Sequence, residues 1–255
     1  VIVELIESHL PTWLRAPDKP PRTAGVHVSK VITAMLKQAA PRDFAHYGNL
    51  EPGREANWEL GHLWEEFLAA RSIEPPEYRR QGKAERTVDG VIGAPDIEWA
   101  RWVYEEPNYV WRDHTIIEEI KATWMSIVPG LDTDPTVLER TRKFAYWICQ
   151  TKTYCAMQQE ELRQQFAFVA GDAAAAEWVP HKVTEGRIRA LFVNADYKDK
   201  SQGRLAKALG WRLTFTADEL RDWWANVRDY AARHREELYE DGETPDRPDD
   251  AGPGD

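Results

Sequence analysis

The sequence predicts an α/β (α+β) fold, a central mixed β-sheet flanked by helices, and three observations predict it. Two amphipathic helical segments come first. At Tyr78 the hydrophobic period then shortens from helical to alternating and stays so to Trp124, and from there helical and strand-like segments take turns to Leu238. No internal repeat interrupts this order, so the chain reads as one domain over residues 1–238, with a core from about 26 to 235 and a tail at 239–255. A chain of 255 residues, 42% of them hydrophobic, can bury a substantial core.

The first helix is expected over 26–39, VHVSKVITAMLKQA, where Val31, Ile32, Met35 and Leu36 recur at helical spacing and Ser29 is the expected cap. After the loop HYGNLEPGRE, residues 56–71 put Leu60, Leu63, Trp64, Phe67 and Leu68 on one stripe, with Gly61 and Glu65, and His62 and Glu66, as i,i+4 pairs. Turn signals at Gly82, Asp89-Gly90 and Glu106-Pro107-Asn108 then divide a meander rich in β-branched and aromatic residues. In its last strand, Ile117, Glu119, Lys121 and Thr123 share one face, and Ile116, Ile120, Ala122 and Trp124 share the other. Alternation sends Glu118 to the apolar side, where it needs a strand end or a partner.

Asp134 and Pro135 open a further helix that runs through LERTRKFAYWICQTKTYCAMQQ. One of its stripes, Val137, Phe144, Ile148 and Cys155, is set for burial. A second, Lys143, Trp147, Gln150, Tyr154 and Gln158, faces something polar. Residues 166–186 carry no decisive pattern. RIRALFVNAD and GWRLTFT alternate as strands, and Thr216 with Glu219 forms a capping box at the head of a helix ending near Leu238.

The formal net charge of -10 argues at first against a polyanionic partner. From Glu236 to Asp255, however, nine acidic residues face Arg247 alone, a net of -8 that leaves about -2 for the rest of the chain. The Pro-, Gly- and Asp-rich tail has little to bury and is expected to be disordered and solubilising. No apolar run is long enough to span a bilayer, and the acidic VIVELIESHLPTW does not resemble a signal peptide, so a cytoplasmic setting away from membranes is expected. Cys149 and Cys155, six apart in a helix, point in different directions and cannot pair within it; two cysteines cannot hold a four-cysteine iron–sulfur cluster or a zinc ribbon.

Asp96, reached through Gly93 and Pro95, is brought toward the strand that carries Glu119 and Lys121. Carboxylates converging with one lysine suit a hard cation, Mg²⁺ or Mn²⁺, which stabilises charge on a phosphoryl oxygen and lowers the pKa of water. A lysine two residues from such a carboxylate can orient the water or neutralise the phosphorane. Phosphodiester hydrolysis needs this set.

GAPD followed by a strand bearing E-I-K, which is the one E-x-K in the chain, resembles the PD-(D/E)XK nuclease superfamily. Q-T-K-T-Y, Gln150 to Tyr154, is similar to the Q-x-x-x-Y of its RecB-like and lambda-type exonuclease branches, and Gly61 to Glu65 resembles their G-x-x-x-E. Glu65, where many RecB-like members have His, leans toward phage-type recombination exonucleases. The resemblance implies a restriction-endonuclease-like core and a metal-dependent deoxyribonuclease acting on DNA. Asp96, Glu119, the Ile120 carbonyl and Glu65 would hold Mg²⁺ or Mn²⁺, Lys121 would be the catalytic lysine, and Gln150 and Tyr154 would border the site. It also implies, for lambda-type relatives, a homo-oligomer working beside a single-strand annealing protein. Lys152, Arg187, Arg189, Lys198, Lys200, Arg204 and Lys207 are candidates for phosphate contacts. The alternatives are an endonuclease of the same superfamily, acting in repair, restriction or on branched DNA, and a non-catalytic DNA-binding relative.

Overall fold

The structure, a computed structural model, describes residues 23–45, 55–72, 75–81, 85–105, 109–123, 127–134, 136–171, 182–193 and 206–240. Strand β1 (Gly25–His27) leads directly into helix α1 (Val28–Ala39), followed by the short α2 (Pro41–Phe44). The expected first helix therefore starts two residues late. Val26 and His27 pair with a neighbouring strand, and His27, with extended backbone angles, stands at the cap position assigned to Ser29. Helix α3 (Glu55–Ala70) follows almost as its periodicity predicts.

The meander divides between two sheets, where one central sheet is expected. Strands β3 (Arg86–Val88) and β4 (Val91–Gly93) form a hairpin. Its turn residues Asp89 and Gly90 both have positive φ, 48° and 78°, the backbone that a two-residue hairpin turn requires. This hairpin leaves the larger sheet because β1 pairs with β4 in parallel, making a small sheet of its own. Strands β2 (Tyr78–Arg80), β5 (Ile97–Glu105) and β6 (Tyr109–Thr123) stay together as the antiparallel half of the main sheet. Gly82, Pro135 and residues 106–108 lie outside the described residues.

The long helix expected after Asp134 is broken into three pieces: α4 (Thr136–Arg140), a 3-10 turn (Arg142–Phe144) and α5 (Ala145–Ala170). The break falls at β-branched Thr141, whose φ of -93° and ψ of 104° are extended. Asp134 does take up the start of α4, accepting from the Thr136 N–H at 2.9 Å. Strand β7 (Lys182–Phe192) lies parallel to β6, with α5 as the crossover, and β8 (Lys207–Thr214) closes the sheet in the order β2-β5-β6-β7-β8.

Helix α6 (Ala217–Arg233) opens on the expected capping box, Thr216 and Glu219 each bonding the other's backbone N–H, an arrangement worth about 1 kcal/mol. After a break at His234 come α7 (Arg235–Leu238) and β9 (Tyr239–Glu240). The expected tail begins too early, because Tyr239 and Glu240 pair with Val26 and Gly25 at the edge of the small sheet; residues 241–255 lie outside the described residues.

Both faces of β6 are packed. Ile117 joins a core shared with α1, α5, α6 and the small sheet, while Ile116 and Ile120 bury against Ile97, Trp99 and Leu68 of α3. A third cluster, with Phe144, Trp147 and Phe192, fills the space under α4 and the start of α5, so Trp147 is a core residue, as a tryptophan read as core or rim should be. Cys149 and Cys155 are both free thiols, as their spacing requires. Among the described residues no helix is long and apolar enough to cross a membrane.

Candidate active site

Pairing between β5 and β6 stops at Ile97 and Glu118, because β5 begins at Ile97 and the preceding Pro95 and Asp96 lie outside it. Strand β6 runs on for five more residues, held by β7 on its other side. The side of β6 facing away from β7 is therefore an open edge from Glu119 to Thr123. Two carboxylates close it. Asp96 Oδ2 accepts from the Ile120 N–H at 2.8 Å, and Glu65 Oε1, from α3, accepts from the Ala122 N–H at 3.3 Å. A strand residue's N–H and C=O point to the same side, so the Ile120 carbonyl opens on this edge beside Asp96.

Glu119 and Lys121 rise from the same strand toward α5. Lys121 Nζ donates to Glu119 Oε2 at 2.9 Å, and the Glu119 side chain is 2% exposed. Burial pushes the Glu119 carboxyl above the usual range; Lys121 opposes the shift and the charge of Asp96 adds to it. Burial favours a neutral Lys121 amine, but the carboxylates of Glu119, Asp96 and Glu65 outweigh it and hold the ammonium. Tyr154 lies buried over the pair; burial and then the nearby Glu119 charge raise its phenol, which stays protonated. Gln150 Nε2 donates to the Tyr154 hydroxyl at 3.4 Å, one helical turn away.

Gly93 explains why α5 can come so close. A Cβ at that position would stand 2.8 Å from Tyr154 Cε1 and 2.9 Å from Val28 Cγ2. The G-x-x-D segment thus supplies Asp96 at one end and a seat for Tyr154 at the other.

Glu118 lies where alternation sends it, and it finds partners there. It lies on the opposite face from Glu119, fully buried, where it accepts from Trp99 Nε1 at 3.3 Å and pairs with Arg189 Nε at 3.3 Å. His62 Nδ1 stands 3.4 Å from Glu65 Oε2, so the histidine braces that carboxylate. His114 Nδ1 bonds the Tyr78 hydroxyl at 2.6 Å, away from the site.

Among the described residues, the expected phosphate-contact residues divide between separate surfaces. Lys152 lies over the rings of Phe215 and Trp223, 5.5 and 5.4 Å from their centroids. Lys207 is bonded to Asp132 at the same end of the sheet as Lys121, about 10 Å across two strand spacings. Arg187 and Arg189 share the face of Glu118, opposite the Glu119 side. Lys198, Lys200 and Arg204 lie outside the described residues. Sequence reasoning missed Arg212, whose alternation with Trp211 and Leu213 in β8 was the available signal.

Among the described residues, no three His, Cys, Asp or Glu side chains already meet around a common point able to hold an ion. The donors nevertheless fit Mg²⁺ or Mn²⁺, which takes one or two carboxylates and completes its shell with water and substrate oxygens. Glu119 Oε1 is buried without a hydrogen-bond partner, as is Gln150 Oε1, so hard oxygen atoms stand ready for a cation or for water. Comparison of the chain with family models, curated proteins and solved structures returned no match.

Proposed function

We propose that the chain is a divalent-metal-dependent deoxyribonuclease of the PD-(D/E)XK type, acting as an exonuclease of the phage recombination kind. What carries this reading is the convergence of Asp96, Glu65 and Glu119 around Lys121 at the open edge of β6. Surface ion pairs do not need two carboxylates anchored on consecutive outward-facing N–H groups, nor a lysine buried among them. Phosphoryl transfer does, because negative charge accumulates on the phosphorane and must be met by positive charge already in place, here Lys121 and the cation that the carboxylates would hold.

Asp96, Glu119 and the Ile120 carbonyl would hold Mg²⁺ or Mn²⁺, with Glu65 joining directly or through water, and the ion would supply charge stabilisation at a phosphoryl oxygen and a lowered pKa for water. Lys121, kept charged by its carboxylates, orients the attacking water and offsets charge on the nonbridging oxygens. Tyr154 remains a neutral hydroxyl, so it adds no negative charge beside Glu119. Gln150 fixes its direction. The burial of Glu119 keeps bulk water from competing for the carboxylate.

Replacing Glu119 by Gln or Lys121 by Ala lowers Mg²⁺-dependent hydrolysis of linear duplex DNA by about a hundredfold or more, with the circular dichroism spectrum preserved. Full residual activity in either variant would overturn the assignment. Closed circular duplex run beside linear substrate separates the exonuclease, which spares the circle, from an endonuclease, which cuts it.

A further inference from the structure

The outer face of β7 and β8 presents a row of arginines that the hydrolytic site does not use. Arg187 and Arg212 are direct cross-strand partners, and Arg189 lies two residues further along β7 on the same face. Like charges placed opposite each other in a sheet repel. Here a single carboxylate holds both: Glu185 Oε1 accepts from Arg187 Nε at 2.7 Å and pairs with Arg212 Nε at 3.2 Å. Both contacts use Nε, so the terminal guanidinium nitrogens lie beyond them. Arg189 is 43% exposed and Arg212 68% exposed.

Apart from half-buried Leu191, the rest of this face is small or polar: Ala208, Gly210 and Thr214 are exposed, and alternate with Leu209, Trp211 and Leu213, which turn inward. Such a surface has little apolar area to offer a protein partner. On a chain of net charge -10 it nonetheless sets three guanidinium groups against the two carboxylates of Glu185 and Glu118, and two of the three, Arg189 and Arg212, are open to solvent, with the planar forks that match phosphate oxygens.

Its position is informative. Ala122, at the open edge of β6, pairs with Leu191, and Leu191 pairs with Ala208. Counting strand spacings and residue rises from Ala122, Arg189 is about 8 Å away and Arg212 about 16 Å away. That is a step of a few nucleotides for a flexible single strand.

We propose that the outer face of β7 and β8 is a track for the phosphates of a single nucleic-acid strand, Arg189 and Arg212 holding the stretch that lies a few nucleotides from the hydrolysed bond. The track rests on the nuclease reading, yet it is a separate surface, on the opposite side of the sheet from Glu119 and Lys121.

The test measures binding of single-stranded oligonucleotides of about 20 nucleotides in the absence of divalent metal, as a function of salt, for wild type, Arg212→Ala, Arg212→Glu and Thr214→Glu. Hydrolysis of bis-p-nitrophenyl phosphate with Mg²⁺, too small to reach the track, is followed alongside. Arg212→Ala reduces the salt slope by about one, and each Glu variant weakens binding about tenfold or more, while hydrolysis of the small ester is unchanged. Unchanged binding and slope overturn the track. So does an equal loss on the small ester, which would assign Arg212 to the hydrolytic site. A loss that disappears when Asp246, Asp249 and Asp250 are changed to Asn would give the face to the chain's own tail and likewise overturn it. Wild type that hydrolyses DNA while failing these tests loses only the track; wild type that neither binds nor hydrolyses any nucleic acid overturns the functional reading as well.

Discussion

Glu118 and Glu119 are adjacent in sequence and opposite in circumstance. Both are buried acids, but Glu119 faces Lys121 and α5, whereas Glu118 is tied to Trp99 of β5 and Arg189 of β7, one strand to either side. Removing one partner of a buried pair leaves a desolvated charge, while neutralising the acid itself does not. Arg189→Ala should therefore cost about 2 kcal/mol, a figure reduced because that guanidinium is 43% exposed, and Glu118→Gln should stay within about 1 kcal/mol. Urea unfolding of the two variants checks the order; Glu118→Gln as the more damaging change would contradict it. Alternation alone gave the face of each glutamate, because a strand's period of two is fixed by its pleat. The partners of Glu118 were illegible, since they come from residues 19 positions earlier and 71 later, and only the strand order brings them together.

At the scale of elements, the meander, β8, α3 and β7 from Arg187 on were legible because their periods are clean, whereas the short β1 was read into α1, β9 into the tail, and the start of β7 fell in the patternless stretch 166–186. The helix after Asp134 was not, since a continuous apolar stripe conceals the extended backbone at Thr141. That break lets Phe144 and Trp147 turn into the core with Phe192 while Tyr154, bonded by Gln150, still reaches β6. Contact between α5 and the hairpin depends on Gly93. Gly93→Ala places a methyl group against Tyr154 and Val28 and should destabilise the protein by about 2 kcal/mol, lowering nuclease activity through a displaced Tyr154. Thermal unfolding together with turnover tests it, and a variant with wild-type stability and rate would show that the helix yields without consequence. The hairpin itself is further tied down, as Asp89 accepts from Trp224 Nε1 and from Gln164 Nε2, both at 2.8 Å.

For the whole molecule, the α/β class was readable and the division into two sheets was not. Local patterns specify strands, but whether β4 joins β5 or β1 is decided by parallel pairing across more than 60 residues, which leaves no short-range mark. The open end of β6 carries a consequence for how copies of the protein behave toward one another. Unpaired strand edges template pairing with other chains, and inward-facing charges are a common defence. Asp96 and Glu65 occupy the two N–H groups that a second copy would need. The Asp96→Ala, Glu65→Ala double variant should accordingly self-associate at concentrations where wild type does not, as read by light scattering, while Asp96→Asn, which keeps an acceptor in place, stays dispersed. Colloidal behaviour and hydrolysis would then depend on the same carboxylate oxygens, and inactive variants made by truncating them would be lost to aggregation before their chemistry could be measured.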